Sequence, residues 1–139
     1  MRFTVPGNPV PKGRPRLTTI NGSARAYTPK KTKDYESIVA AHAKKAMCGN
    51  PLILGGCYLE IELFFQIPSS WSKKKKEQAI SGLIRPISKP DCSNVFKAIE
   101  DALNLVVWKD DSQVVEGKFS KFYSETPRAI VSIKEVLNG

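Results

Sequence analysis

With 139 residues, of which 41% are hydrophobic and 25% charged, the chain has the size and composition of a single globular domain. It has neither an apolar run of roughly 20 residues that would span a bilayer nor the apolar core of a signal peptide, so we expect a cytoplasmic protein and no membrane association. The net charge of +9 is concentrated in residues 1–56, which hold ten basic and two acidic side chains, so we expect a polyanionic partner such as DNA or RNA.

The cysteine and histidine counts argue against two common structural devices. Cys48, Cys57 and Cys92 form no CxxC pair and leave one cysteine over, which argues against a disulfide framework and suits a reducing compartment. The single histidine, His42, argues against a zinc site. Because His42 falls in a predicted helix, we expect it to be a surface or half-buried side chain.

The first residues predict a short strand followed by an extended basic loop. Residues 1–5 alternate loosely between polar and apolar side chains, which indicates a strand. The prolines and glycines of residues 6–15 then exclude regular structure, and Asn21-Gly22 marks a hairpin tip. Because this loop and the segment after it are rich in lysine and arginine, we expect them to contact nucleic-acid phosphates. The candidate DNA-binding residues are Lys12, Arg14, Arg16, Lys30, Lys31 and Lys33.

Three segments after the loop have clear periodicity. Thr28-Pro29 opens a helix, with Thr28 as its expected cap, that ends near Gly49. Residues 57–67 alternate strictly and predict a strand. Ser72 then caps a short, highly charged helix. The buried face predicted for the first helix consists of Tyr35, Ile38, Val39, Ala43, Ala46 and Met47.

The second half of the chain predicts one further helix and two strands. Residues 91–103 carry an apolar stripe at helical spacing. Residues 113–123 form a strand in which Gly117 indicates a bulge, and residues 127–136 alternate as a last strand. This order predicts an α+β fold in which helices pack on a small, largely antiparallel sheet. No repeat or linker divides the chain, so we expect residues 1–139 to form one domain.

Acidic residues gather in one short stretch of this basic chain. Five carboxylates lie within 21 residues, on Asp91, Glu100, Asp101, Asp110 and Asp111. Taken singly, Asp91 suits a helix cap, and Asp101 suits an ion pair with Lys97. The Asp110-Asp111 pair suits a turn. Taken together, such carboxylates repel one another unless a cation lies between them, and oxygen ligands of this kind suit Mg²⁺ or Mn²⁺.

A metal site of this kind would suit phosphodiester cleavage. A divalent metal ion can polarise a phosphoryl oxygen and activate water for attack. Lys97 lies close in sequence, where its charge would stabilise the transition state or the leaving oxygen. This interpretation requires that the strand after the turn brings Asp111 back beside Asp91.

The segments KPDCSNVFKAIEDALN and WKDDSQVV resemble the RusA family of Holliday junction resolvases, which are common in bacterial prophages. The family pattern is roughly Pro-Asp-x-Asp-Asn-(x)2-Lys, then Asp-Ala-Leu, then Asp-Asp-x-Gln-Val. The segments PVPKGRPRLT, AYTPKKTKDYE and CYLEIELFF also resemble the phage and Gram-positive branch of that family. The resemblance therefore covers nearly the whole chain.

The resemblance implies a small homodimeric endonuclease that acts in DNA recombination and repair. It implies binding to four-way DNA junctions with little regard to sequence, and resolution of those junctions by Mg²⁺-dependent paired nicks. Mn²⁺ is a possible substitute, and no small-molecule cofactor is expected. Two subunits with one active site each would match a two-fold substrate.

The resemblance also assigns roles to individual residues of this sequence. Asp91 matches the first catalytic aspartate, Asp111 the third, and Lys97 the catalytic lysine. The metal ligands it implies are Asp91 and Asp111, with Asp110 and Ser93 as further candidates.

Ser93 departs from the family pattern, which has the second catalytic aspartate at this position. A neutral serine offers one weak oxygen ligand, so three outcomes stay open. A neighbour such as Asp110 or Glu100 replaces the missing carboxylate, the enzyme is weak or prefers Mn²⁺, or the protein binds junctions without cutting them. A generic basic nucleic-acid-binding module is a further alternative, which would show no preference for branched DNA.

Overall fold

The computed structural model describes residues 1–13 and 16–136, with Arg16 described by its backbone alone. The strands are β1 Arg2–Pro6, β2 Arg16–Ile20, β3 Ser23–Tyr27, β4 Cys57–Gln66, β5 Val114–Ser124 and β6 Arg128–Glu135. The helices are α1 Lys30–Met47, α2 Lys73–Ile80 and α3 Cys92–Ala102, and a 3-10 turn spans Asp111–Gln113. Within these residues, no helix combines the length and the apolar character that crossing a bilayer would require.

Four of the strands form one mixed sheet, in the order β1-β6-β4-β5. The pairs β1–β6 and β4–β6 are antiparallel, whereas β4 and β5 run parallel. The α+β prediction is confirmed, and most strand pairs are antiparallel as predicted, but the parallel β4–β5 pair makes the sheet mixed. The reason is the connection between β4 and β5, which carries both α2 and α3 and is long enough to cross over and return in the same direction.

The core lies between this sheet and the helices α1 and α3. The inward side chains of β4, from Cys57 to Leu63, alternate with half-buried outward ones, as the sequence predicts. They join α1 and α3 in one hydrophobic cluster that also includes Val131 of β6. On α3 the predicted stripe is confirmed: Val95, Ala98, Ile99, Ala102 and Leu103 are buried.

Three local predictions are wrong. Ile38 is 45% exposed, because α1 buries a stripe of every fourth residue, from Tyr35 to Met47, that excludes it. The N-cap of α1 is Pro29, without a side-chain cap hydrogen bond, so Thr28 is not the cap. The register shift in β5 falls at Val115 instead of Gly117. A Cβ on Gly117 would lie 3.2 Å from the carbonyl oxygen of Leu59 and 3.3 Å from the Phe96 ring, so this glycine serves close packing.

The strands β2 and β3 form a separate two-stranded hairpin, the hairpin arm, that follows the proline-rich loop. Its predicted tip is confirmed, because Asn21 and Gly22 both have positive φ, of 52° and 77°, as a two-residue hairpin turn requires. Every residue of β3 is exposed, and Leu17 of β2 is 77% exposed. A hairpin with so little burial is marginal by itself, and it extends from the domain as a basic arm.

Candidate active site

Helix α3 presents one polar face away from the core. Ser93, Lys97, Glu100 and Asp101 lie at spacings of four, three and one residues, which places them on the same side of a helix. The opposite side, which carries the buried apolar stripe, holds that face in a defined orientation against the sheet. The burial of α3 therefore decides which of its polar residues can meet the rest of the chain.

The turn after α3 is held by Gln113. Its side-chain oxygen accepts hydrogen bonds from the backbone N–H groups of Lys109 and Asp110, at 2.9 and 3.2 Å. Its side-chain amide donates to the carbonyl oxygens of Ile53 and Gly55, at 2.8 and 3.1 Å. The Asp110 carboxylate caps the same turn by accepting from the backbone N–H of Ser112. These contacts fix the position of the intervening Asp111.

Lys97 lies among three carboxylates, which we call the carboxylate cluster: Glu100, Asp101 and Asp111. The Lys97 Nζ atom is 2.8 Å from Asp111 Oδ2, 2.9 Å from Asp101 Oδ1 and 3.7 Å from Glu100 Oε1. The ligating oxygens of the three acids all lie within 4.8 Å of one another. The acidic side chains are only 16% to 21% exposed, whereas Lys97 is 52% exposed. The cluster is thus partly desolvated and open to solvent through the lysine.

The cluster shifts the pKa values of its members in opposite directions. Burial, and then the negative charge of Asp111, raise the pKa of Glu100 to about 7, although Lys97 opposes this shift. Burial opposes ionisation of Asp101 too, but hydrogen bonds from Lys97 and Lys12 outweigh it and lower the pKa of this carboxyl. The same contacts with Asp111 and Asp101 raise the pKa of Lys97. Asp101 is therefore held in its ionised form, whereas the ionised form of Glu100 is disfavoured.

A second lysine enters this network from the N-terminal loop. Lys12 Nζ is 2.6 Å from Glu36 Oε1 on α1 and 3.2 Å from Asp101 Oδ2 on α3. Burial alone would lower the pKa of Lys12, but its hydrogen bonds to the two carboxylates raise it. The loop, α1 and α3 therefore meet at one mixed-charge network.

Known proteins resemble this chain along nearly its whole length. A sequence model described as endodeoxyribonuclease RusA matches residues 6–134. The chain belongs to the RusA endodeoxyribonuclease family. A protein of Bacillus subtilis (strain 168), named uncharacterized protein YqaN, is 45% identical over 138 residues, which is 98% of this chain and 96% of that protein. The RusA match contains all residues of the carboxylate cluster together with both lysines.

Of the predicted RusA site residues, the structure brings Lys97 and Asp111 together but does not include Asp91 in the cluster. Asp91 is the N-cap residue of α3, roughly 15 Å along the helix from Asp101. It makes no side-chain cap hydrogen bond, so a capping role has no contact to support it. Its carboxylate is exposed at an open cavity of about 380 Å³ that is also lined by Pro9, Pro11, Lys31, Lys89, Pro90 and Asn94.

The structure brings Glu100, a predicted replacement ligand, and Asp101, the predicted partner of Lys97, into the cluster, and it adds Glu36 to the predicted contacts. The first two follow Lys97 by three and four positions, so helical spacing was a usable signal for them. Glu36 had no such signal, because its contact with Lys12 spans 24 positions and depends on how α1 packs. Ser93 is exposed on the α3 face that leads to Lys97.

The predicted DNA-binding residues differ in how exposed their side chains are. Lys30, Lys31 and Lys33 are exposed in the first turn of α1. Lys30 is 89% exposed and pairs with Asp34 at 3.2 Å, a contact that solvent screens strongly. The side chains of Arg14 and Arg16 lie outside the described residues, so their assignment stays a prediction.

The donor set of the carboxylate cluster fits a hard divalent cation. Glu100, Asp101 and Asp111 offer only oxygen ligands, which suit Mg²⁺ or Mn²⁺ better than softer metals. A cation would also stabilise the ionised form of Glu100, which burial and the negative charge of Asp111 disfavour. The residues present could therefore hold a metal ion beside Lys97.

Proposed function

We propose that this RusA-family protein is a structure-selective endodeoxyribonuclease that resolves four-way DNA junctions by Mg²⁺-dependent paired nicking, as part of DNA recombination and repair. The observation that carries the proposal is the contact of Lys97 Nζ with Asp111 and Asp101 inside a partly desolvated carboxylate cluster. Family membership supports nuclease chemistry, and the cluster supplies the charged groups that such chemistry needs. A phage or bacterial cytoplasm is the proposed setting.

The proposed metal ligands are the carboxylates around Lys97. Asp111 and Glu100 offer oxygens beside the lysine, and Asp91, Asp110 and Ser93 remain candidate contributors from the family resemblance. When bound, Mg²⁺ would polarise the scissile phosphate and lower the pKa of water. Lys97 would place its positive charge where negative charge develops on the phosphate, and a preformed ion pair keeps that charge in position beforehand.

The proposed DNA interface begins beside this cluster. Lys31 and Lys33 are exposed on α1, and Arg25 lies on the exposed hairpin arm. No acidic residue occurs before Asp34 in the sequence, so the positive charge of residues 1–33 would attract a phosphate backbone. Arg14→Ala combined with Arg16→Ala should weaken binding and flatten its salt dependence. A complex of full strength and equal salt sensitivity would remove both arginines from the interface.

We also propose that the protein acts as a homodimer, because paired nicks on a two-fold junction need two sites. The outward face of the sheet is a suitable surface for a second copy. On this face the negative charge of Glu60 lies opposite Lys118, and that of Glu62 lies opposite Arg2. Two copies that met through this face would therefore not repel each other. Sedimentation velocity should find a dimer, and Glu60→Lys with Glu62→Lys should shift it to monomer. An unaffected dimer would place the interface elsewhere.

Ser93 favours one alternative, a family member that binds junctions without cutting them. Its hydroxyl cannot replace the charge of a carboxylate, and Ser93 is exposed on the polar face of α3. A labelled four-way junction, incubated with the protein in Mg²⁺, Mn²⁺ or EDTA, separates the two functions. Paired nicks with either metal support the nuclease, whereas binding without cutting in all three supports the alternative. Equal affinity for the junction and for linear duplex would indicate a generic nucleic-acid-binding protein.

A further inference from the structure

The segment from Pro11 to Gly13 is fastened between two helices by a small set of hydrogen bonds. The backbone N–H of Lys12 donates to the carbonyl oxygen of Asn94 in α3, at 2.9 Å. The backbone N–H of Gly13 donates to Thr32 Oγ1 in α1, at 2.9 Å, and that hydroxyl donates to the carbonyl oxygen of Pro11, at 3.2 Å. We call these three loop residues, together with Thr32, the clasp.

The clasp is a tightly built feature. Thr32 is only 2% exposed, and its hydroxyl satisfies both a donor and an acceptor of the loop. A Cβ on Gly13 would lie 2.9 Å from both Pro29 Cγ and Thr32 Oγ1, which leaves no room for a side chain. The loop therefore passes α1 at a fixed point immediately before the hairpin arm.

The Lys12 side chain continues from the clasp into the carboxylate cluster. Asp101 divides its two oxygens between two lysines, with Oδ1 toward Lys97 and Oδ2 toward Lys12. The partner of Lys12 on the other side is Glu36, so the ammonium lies between carboxylates of α1 and α3. Removing Lys12 would leave the Asp101 carboxylate held by Lys97 alone, so a turn of that carboxylate would shift Lys97 with it.

We propose that Lys12 is a positioning residue that joins the clasp to the carboxylate cluster, and that it does not contact DNA phosphate. Its side chain is 24% exposed, against 89% for Lys30, and a phosphate would have to replace two ion pairs to reach it. The functional part of this inference rests on the proposed nuclease activity, whereas the contact itself does not.

Salt dependence of binding distinguishes positioning from phosphate contact. The affinity for a labelled four-way junction is measured in EDTA over a range of salt concentrations for Lys12→Met and for the combined control Lys30→Met, Lys31→Met and Lys33→Met. The slope of log affinity against log salt concentration is negative, and each lost phosphate contact makes it less steep by about one. The control should flatten the slope, and Lys12→Met should leave it unchanged. A slope reduced by about one in Lys12→Met would overturn the proposal.

Kinetics test the positioning role directly. Lys12→Met should lower kcat by roughly 10- to 100-fold, as loss of a residue that orients metal-site groups does, with little change in KM. Lys12→Arg should recover most of kcat, because a guanidinium can still bridge Glu36 and Asp101. A raised KM with unchanged kcat, or no recovery by Lys12→Arg, would count against positioning.

A stability measurement tests the contact even if the protein cuts no DNA. Melting temperatures in EDTA are compared for Lys12→Met, Asp101→Asn and the double variant. If Lys12 and Asp101 act through each other, the double variant should melt close to the less stable single variant. Additive losses would mean that the two side chains are independent and would overturn the proposed link. A failed cleavage assay would therefore contradict the nuclease proposal alone.

Discussion

Lys97 and Asp111 are separated by 14 positions in the chain, yet the Lys97 Nζ atom lies 2.8 Å from Asp111 Oδ2. Helix α3 supplies the lysine, and a turn fastened by Gln113 supplies the aspartate. Because each partner is fixed by a different element, their contact depends on the packing of the whole domain. This pairing gives the proposed site its charge balance when no cation is bound.

Lys97→Met should remove most of the cleavage activity. Loss of a positive group that faces developing charge typically lowers kcat by about 10² to 10³. The variant also leaves Glu100, Asp101 and Asp111 without their shared cation, so its melting temperature in EDTA should fall and should rise more on addition of Mg²⁺. Lys109→Met is the control, because Lys109 is exposed in the nearby turn. Normal cutting by Lys97→Met would exclude a catalytic role.

Asp111→Asn and Asp110→Asn should behave differently, although the residues are adjacent. Asp111 contacts Lys97, so its loss should reduce Mg²⁺-dependent nicking by at least about 10² while junction binding in EDTA persists. Asp110 caps a turn, and asparagine caps as well as aspartate, so Asp110→Asn should retain both stability and cutting. Nicking rates and melting temperatures check this contrast. Equal loss in the two variants would make Asp110 a functional partner of Asp111.

Asp91→Asn tests whether the N-terminal end of α3 belongs to the site. The carboxylate is exposed and makes no cap hydrogen bond, and asparagine suits an N-cap equally well, so stability should not change. If Asp91 completes the metal site, nicking should be abolished while binding is spared. Unchanged turnover would remove Asp91 and leave the carboxylate cluster as the complete set of ligands.

Ser93→Asp tests how far the lack of a carboxylate at position 93 weakens Mg²⁺ binding and slows nicking. Position 93 lies one helical turn before Lys97 on the same face of α3, so a carboxylate there would face the cluster. We expect faster nicking and a lower Mg²⁺ concentration for half-maximal rate, and a titration of the nicking rate with Mg²⁺ measures both. Ser93→Asn is the matched uncharged control. No gain from the aspartate would mean that Glu100 already supplies the missing ligand.

The stability of the metal-free protein should fall as the pH rises from about 4.5 to 7. Glu100 has a pKa of about 7 in the folded protein against an ordinary value of 4.5, so the folded state holds a proton that the unfolded state has released. This contribution is fully present below pH 4.5 and is lost as the pH passes 7. The charged groups facing Glu100 are Lys97, Asp101 and Asp111, of which only the lysine opposes the shift.

Melting temperatures in EDTA, measured from pH 4.5 to 8, check this expectation. Glu100→Gln should flatten the decline because an amide does not titrate, and Glu125→Gln, at an exposed position, should not. Mg²⁺ should restore stability most above pH 7, where Glu100 is ionised. A pH profile that is the same in the wild type and in Glu100→Gln would contradict the raised pKa.

Several elements could be predicted from local sequence because local forces determine them. The alternation of β4, the cap at Ser72 and the stripe on α3 each follow from the period of a strand or a helix. The Asn21-Gly22 tip follows from the positive φ angles that these residues tolerate. Where neighbours decide the outcome, as with the exposure of Ile38, local periodicity was insufficient.

The sequence by itself determined the family, the α+β class and the pairing of Lys97 with Asp101, because these depend on motifs and on spacing within one helix. Only the tertiary structure decided that β5 runs parallel to β4 and that Lys12 reaches Glu36. It also decided that Asp111 meets Glu100 while Asp91 stays outside the cluster. The physical reason is that ion pairs act over a few ångströms, and packing of distant segments sets those distances.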